Sequence, residues 1–125
     1  MLLLARFDPR RDPISWPAVD DYVEDVLVLV ERIPPGRVMS YGAIAEWLGR
    51  GGPRQVGAVL ARYGGPVPWH RVVAANGRLV PGHEAESLRR YAAEGTPMRG
   101  DRVDMRLAAW VPPHSPPDLG RFDIQ

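Results

Sequence analysis

The chain of 125 residues contains no cysteine. That absence excludes disulfides, thiolate metal sites and any cysteine nucleophile. An excess of one charge is lacking too: 16 basic residues against 15 acidic leave a net charge of +1. Binding to a polyanion would therefore have to rest on a local patch, not on general basicity. Long apolar runs are also missing. Met1-Leu2-Leu3-Leu4-Ala5 opens the chain, but Arg6 and Asp8 interrupt it well short of a signal-peptide core. No run approaches the roughly 18 apolar residues of a membrane helix. The expectation is a soluble, cytoplasmic protein. Apolar residues nonetheless make up 45% of the chain, which supports a packed core and argues against wholesale disorder. The length suits one compact domain.

The pattern divides the chain into an N-terminal arm (1–15), a folded domain (16–111) and a proline-rich tail (112–125). The arm is Pro/Arg/Asp-rich and aperiodic. A helix is expected from Ser15, with Pro17 in its first turn. Val19, Tyr22, Val23, Val26, Leu27 and Val30 recur at helical spacing and predict one buried face. Pro34-Pro35-Gly36 ends that helix. Ser40 is the cap of a short helix, Tyr41 to Leu48, closed by Gly49. Pro53 opens another that runs to about Tyr63 and stops at Gly64-Gly65. Two short helices joined by a glycine turn outline a helix-turn-helix. Arg71–Ala74 and Arg78–Val80 flank Ala75-Asn76-Gly77, where Asn-Gly signals a two-residue hairpin turn, hence a small wing. A last helix over about Glu84–Glu94 is expected to turn Leu88, Tyr91 and Ala92 inward. Beyond Gly95 the chain reads as extended, with Val103, Met105, Leu107 and Trp110 packing. The fold class is mostly α with a small β wing, a winged helix-turn-helix.

The second helix of the pair has two unlike faces. Val56, Val59, Leu60 and Tyr63 form a core stripe. Arg54, Gly57, Ala58 and Ala61 share the other side, and an exposed Gly/Ala face is poor in both propensity and solvating charge. Two readings stand open. The small residues let the helix backbone enter a narrow space such as the minor groove, about 6 Å wide, or they pack against the chain's own N-terminal arm.

Three stretches resemble a known family. They are Ile33-Pro34-Pro35-Gly36-Arg37-Val38-Met39-Ser40-Tyr41-Gly42-Ala43-Ile44-Ala45, then Arg54-Gln55-Val56-Gly57, then Pro68-Trp69-His70-Arg71-Val72-Val73, with Glu94-Gly95 beyond. In this order they are similar to the DNA-binding domain of the O6-alkylguanine-DNA alkyltransferases. Those enzymes carry the alkyl-accepting cysteine between Pro and His, where this chain has Trp69. A Pro-Trp-His-Arg version marks the alkyltransferase-like proteins, which bind the lesion and do not dealkylate it. The chemistry agrees independently, since indole offers an N–H donor and a π-face but no thiolate.

The resemblance implies specific roles. Arg54 is the finger that enters the base stack behind a flipped nucleotide, and Tyr41 presses on the neighbouring phosphate. Gln55, Gly57, Ala58 and Ala61 complete the DNA-binding face. Val67, Pro68, Trp69, His70, Val80, Pro81 and Gly82 shape the lesion pocket. Trp69, His70 and Glu94 are the remnant of the transferase site, and Arg71 ties the helix pair to that motif. The implied partners are double-stranded DNA containing O6-alkylguanine and nucleotide excision repair proteins. The protein is expected to act as a monomer without cofactor, metal or catalytic residue, and to be nucleoid-associated when bound. Two departures stand out: Tyr63 replaces an asparagine whose hydrogen bonds serve the turn before the site, and Val80-Pro81-Gly82-His83-Glu84 replaces a Gly-Tyr-Ser-Gly-Gly loop. Some relatives sense the guanine with a further arginine after the wing; no residue here matches it, and Arg78 is the nearest candidate.

Two other classes compete. A winged-helix transcription regulator would need long polar side chains on the recognition helix for major-groove readout, and Gly57, Ala58 and Ala61 argue against it. A hydrolase or glycosylase using His70 and Glu94 would lack a nucleophile, a metal set and a Gly-rich site.

Overall fold

The computed structural model describes residues 15–113, with side chains from residue 21 onward. The N-terminal arm ahead of Ser15, the side chain of Val19 and the tail from residue 114 lie outside the described residues. Helix α1 spans Ser15–Arg32. Val26, Leu29, Val30 and Ile33, at i, i+3, i+4 and i+7, are fully or almost fully buried. Tyr22, Val23 and Leu27 flank that line and are partly buried. The expected stripe is therefore rotated towards Leu29.

The next elements follow their caps. Ser40 Oγ accepts from the Ala43 N–H at 3.0 Å and starts α2, Tyr41–Leu48. Gly49, left-handed at φ 76°, closes it. Gly52 precedes α3, Pro53–Tyr63, and the Gln55 side chain accepts from the Gly52 N–H at 3.0 Å, the reverse half of a capping box, while glycine has no side chain to cap the first-turn donors. Ahead of α2, strand β1 (Met39–Ser40) pairs in parallel with β2 (Val72–Val73). Ile44, Ala45, Val56, Val59, Val67 and Val72 join the α1 residues in one core. Tyr63, expected in that core, is 41% exposed at the helix end.

A second core of Val38, Val73, Leu79, Tyr91, Val103 and Ala108 lies under the C-terminal half. It is closed by α4 (Glu84–Glu94), a hairpin of β3 (Met98–Arg99) and β4 (Arg102–Val103), and α5 (Met105–Ala108). The Val38 N–H donates to Ala108 O at 3.0 Å and the Trp110 N–H to Val38 O at 2.8 Å. Arg37 donates to the carbonyls of Ala108 and Ala109 at 3.1 and 2.7 Å. The C-terminal segment is thus stitched to the chain just ahead of the helix pair.

Four expectations need correction. The Asn-Gly turn is a three-residue loop: the Gly77 N–H donates to Ala74 O at 2.8 Å and the Ala74 N–H to Arg78 O at 3.2 Å. Only Gly77 is left-handed there (φ 87°), whereas a two-residue Asn-Gly turn needs both residues so. The stretch Arg78–Val80 forms no ladder, because Gly77 O accepts from the Val103 N–H at 2.9 Å instead. The antiparallel hairpin is β3–β4, in a stretch read as merely extended. On α4, Leu88 (43%) and Ala92 are exposed and Ser87 and Tyr91 are buried. The Tyr91 hydroxyl donates to the His70 carbonyl and Glu94 reaches Arg71, so hydrogen bonding rotates the helix. Leu107 is 62% exposed, while Val103 is buried and Met105 and Trp110 are partly so.

Candidate functional site

Helix α3 presents Arg54, Gln55, Ala58 and Ala61 to the outside, with Gly57 half-buried among them. A Cβ on Gly57 would lie 3.9 Å from Tyr41 Cε1, an ordinary contact. The fold itself therefore does not demand glycine here. Tyr41, the first residue of α2, stands beside this face, and burial raises its pKa above the usual phenol value, so the hydroxyl remains a neutral donor.

Trp69 opens a 3₁₀ turn, Trp69–Arg71, that leads into β2. The turn is held by the Trp69 N–H donating to Val67 O (2.7 Å) and the Arg71 N–H to Pro68 O (3.0 Å). The indole is braced by two groups. The Arg90 guanidinium lies over it, 5.2 Å from the ring centre, and His83 packs against it at 5.5 Å and 61°. Arg90 is in turn held by Glu86, one turn back on α4, at 3.0 and 2.6 Å.

Between α3, Trp69 and the loop after Val80 lies a cavity of about 510 Å³, lined by Tyr41, Gly57, Leu60, Ala61, Gly64, Gly65, Trp69, Val80, Pro81, His83 and Glu86. Its size is within the roughly 300–1,000 Å³ of small-molecule sites. Of the residues expected to line one pocket, Trp69, Val80 and Pro81 are here. Val67, Pro68 and His70 instead border a second cavity of about 600 Å³, with Arg71, Arg90 and Glu94. Gly82 lines neither of these cavities. Arg78 borders a third space with Tyr41 and Pro81. The turn after α3 is closed by backbone alone, the Val67 N–H donating to Gly64 O at 3.1 Å. Gly64 is required, because a Cβ there would meet Leu60 O at 2.5 Å.

Behind Trp69 sits a polar hub. Glu94 accepts from Arg71 at 3.1 and 2.8 Å, from His70 Nε2 at 2.8 Å and from the Gly36 N–H at 3.3 Å. Arg71 also donates to Ile33 O at 2.9 Å, so the hub ties the end of α1 to the Trp69 turn. Burial works to raise the Glu94 pKa, but the bonds from Arg71 and His70 outweigh it and hold it at about 2. Burial pushes His70 below its usual value against the opposing pull of Glu94. A neutral ring fits its neighbours: Nε2–H donates to Glu94, and Nδ1 faces the Arg90 guanidinium at 3.5 Å. With both Glu94 oxygens so engaged and His70 only 2% exposed, the hub binds elements together.

Sequence reasoning passed over His83, Glu86 and Arg90 as site residues. For Glu86 and Arg90 the signal was their spacing of i, i+4, which reads as an ordinary surface pair; for His83 it was membership of the replaced loop. Among the described residues no group of three His, Asp or Glu could hold a metal ion, and no helix is long and apolar enough to cross a membrane.

Residues 21–95 match the family described as 6-O-methylguanine DNA methyltransferase, DNA binding domain. A DNA base-flipping protein of Escherichia coli (strain K12) is 35% identical over 97 residues, covering 73% of this chain and 75% of that protein. A DNA base-flipping protein of Vibrio parahaemolyticus is 28% identical over 100 residues, 75% of this chain and 100% of that protein. Among solved structures, S. pombe Atl1 in complex with damaged DNA containing O6-carboxymethylguanine superposes with a TM-score of 0.66 at 28% identity, covering 74% of this chain and 97% of that one. An S. pombe ATL–DNA complex gives 0.65 at the same identity and coverage. With most of the folded domain matched and tryptophan standing between Pro68 and His70, the chain belongs to the 6-O-methylguanine DNA methyltransferase DNA-binding-domain family, as an alkyltransferase-like member.

Proposed function

We propose that the protein is a non-catalytic DNA-damage sensor that extrudes O6-alkylguanine from duplex DNA and leaves it intact for nucleotide excision repair. The observation that carries this is Trp69: an indole walls the cavity at the position that the family's enzymes fill with a thiol, and the chain has no cysteine at all. Alkyl transfer from O6 needs a strong nucleophile, and none borders the cavity. The base-flipping relatives and the complex of Atl1 with O6-carboxymethylguanine DNA support the lesion class.

In this reading α3 lies along the minor groove, where Gly57, Ala58 and Ala61 let its backbone come close. Arg54 fills the gap in the stack, Gln55 contacts the strand beside it, and Tyr41 donates its hydroxyl to the adjacent phosphate. Unstacking costs a few kcal/mol, and stacking of the extruded base on Trp69 returns about 1–3 kcal/mol. Residues around Val80-Pro81 set the room for the alkyl group. One chain suffices, because the face, the finger and the cavity are all on it.

The test uses a duplex carrying radiolabelled O6-methylguanine. Tight binding over a matched guanine duplex is expected, with no label on the protein and the adduct recovered quantitatively. Stoichiometric label on the protein would overturn the reading.

A further inference from the structure

We propose that Glu86 selects the base admitted beside Trp69, by accepting a hydrogen bond from the exocyclic amine of an extruded guanine-type base. The proposal rests on the cavity being the base pocket described above. Glu86 is the one carboxylate among the residues that line it. Its charge is balanced by the Arg90 guanidinium at 2.6 Å, so it can act as an acceptor there without placing a net negative charge beside the polyanion.

The carboxylate is held in place for such a contact. Arg90 donates both Nε and Nη2 to one oxygen, Oε2. Oε1 takes no donor among the described residues. Because the same guanidinium lies over the Trp69 ring, indole and carboxylate are parts of one braced unit. Trp69 and Glu86 line the same cavity, so a base stacked on the cavity side of the indole shares that space with the carboxylate. The Arg90 bond holds Glu86 below the usual carboxylate range, so it is ionised at neutral pH.

An ionised carboxylate is an acceptor only and recognises only a donor. Alkylation of O6 removes the N1 hydrogen of guanine but leaves the 2-amino group. Glu86 thus reads a feature shared by guanine adducts whatever the size of their alkyl group. It is blind to the adduct itself, and it disfavours alkylated thymine, which has no amine.

The experiment compares wild type and Glu86→Ala on three duplexes differing in one nucleotide: O6-methylguanine, 6-methoxypurine (the same ring and methyl group without the 2-amine), and guanine. Loss of a charge-assisted hydrogen bond predicts about tenfold or greater weakening by Glu86→Ala on O6-methylguanine, and about twofold or less on 6-methoxypurine. Glu86 is substantially exposed, so its truncation spares the fold. Equal losses on both methylated duplexes would assign Glu86 to bracing the wall through Arg90 and overturn the proposal, as would no loss on either. The guanine duplex separates this from the parent reading. If wild type does not prefer O6-methylguanine to guanine, the lesion reading fails. If that preference stands without the amine-selective loss, only the assignment of Glu86 fails.

Discussion

At Glu94, four hydrogen bonds converge on one carboxylate, and the consequence is a stability that depends on pH with a definite sign. Its folded pKa of about 2 lies below the ordinary 4.5. The stabilisation is therefore complete above pH 4.5 and is lost as pH falls towards 2. His70, lowered from 6.5, acts in the same direction, since the unfolded chain takes up its proton first and stability falls on acidification below that value. Glu94→Gln should cost about 2 kcal/mol at neutral pH, because it leaves the Arg71 guanidinium without its anion in a largely buried place. In urea titrations the gap to wild type should hold steady from pH 8 to 5 and narrow below 4.5. A gap independent of pH down to 2.5 would mean that the carboxylate's charge contributes nothing. Arg54 lies at the other extreme, exposed on α3. Arg54→Ala should leave stability within about 0.5 kcal/mol and yet lower lesion affinity about tenfold or more. It should also abolish the fluorescence change of a reporter base at the flipped site. Tyr41→Phe, losing one hydroxyl contact, should have a smaller effect of the same kind. Full affinity and an unchanged signal in Arg54→Ala would remove it from the role of finger.

Among the elements, the loop Ala74–Arg78 decides how the two halves of the molecule meet. Gly77 is left-handed at φ 87°, and a Cβ on it would meet Val103 O at 2.2 Å. Strain and clash fall on the residue whose carbonyl takes the Val103 N–H. Gly77→Ala should therefore destabilise by about 2–4 kcal/mol, seen as a lower urea midpoint. A loss under about 0.5 kcal/mol would show that β4 can shift away freely. The same loop shows what could be read in advance. Helices α2 and α3 were legible to the residue because Ser40, Gly49, Pro53 and Gly64 punctuate them locally. Asn76-Gly77 marked a turn correctly but not its type, which is settled by β4, some 26 positions further on. The inward face of α4 was illegible for a similar reason: Ser87, Tyr91 and Glu94 are drawn in by tertiary hydrogen bonds and packing, against the apolar pattern of Leu88 and Ala92. Trp69 could be found from its motif. Glu86 could not, since a pocket lining assembled from a helix surface leaves no periodic trace, and His83 stood out only as a member of the replaced loop from Val80 to Glu84.

For the molecule as a whole, all 16 basic side chains are arginine and 15 acidic residues nearly cancel them. A net charge of +1 gives little long-range attraction to a polyanion, so the proposed discrimination would fall to what the cavity and α3 can do at one nucleotide. Such a sensor has a single output, the deformation it imposes. On the proposed function, extruding a base and wedging Arg54 into the stack would turn a small adduct, which barely disturbs the helix, into a bend and a gap that a damage scanner can detect. With no thiol to remove the adduct, the complex either hands the site on or shields it, and the two outcomes separate genetically. Under hand-over, sensor and excision repair act in series. Deleting this gene and deleting excision repair in the same strain should then give equal sensitivity to agents that form O6-alkylguanines bulkier than methyl, and the double deletion should be no worse than either. Under shielding, or action in a separate pathway, the double deletion would be clearly more sensitive than either single one. Arg54→Ala, expressed from the chromosomal locus, should behave as the deletion does, because a protein that binds without holding the base out creates no signal to pass on. Wild-type resistance in the Arg54→Ala strain would disconnect the deformation from the repair outcome and end the hand-over model.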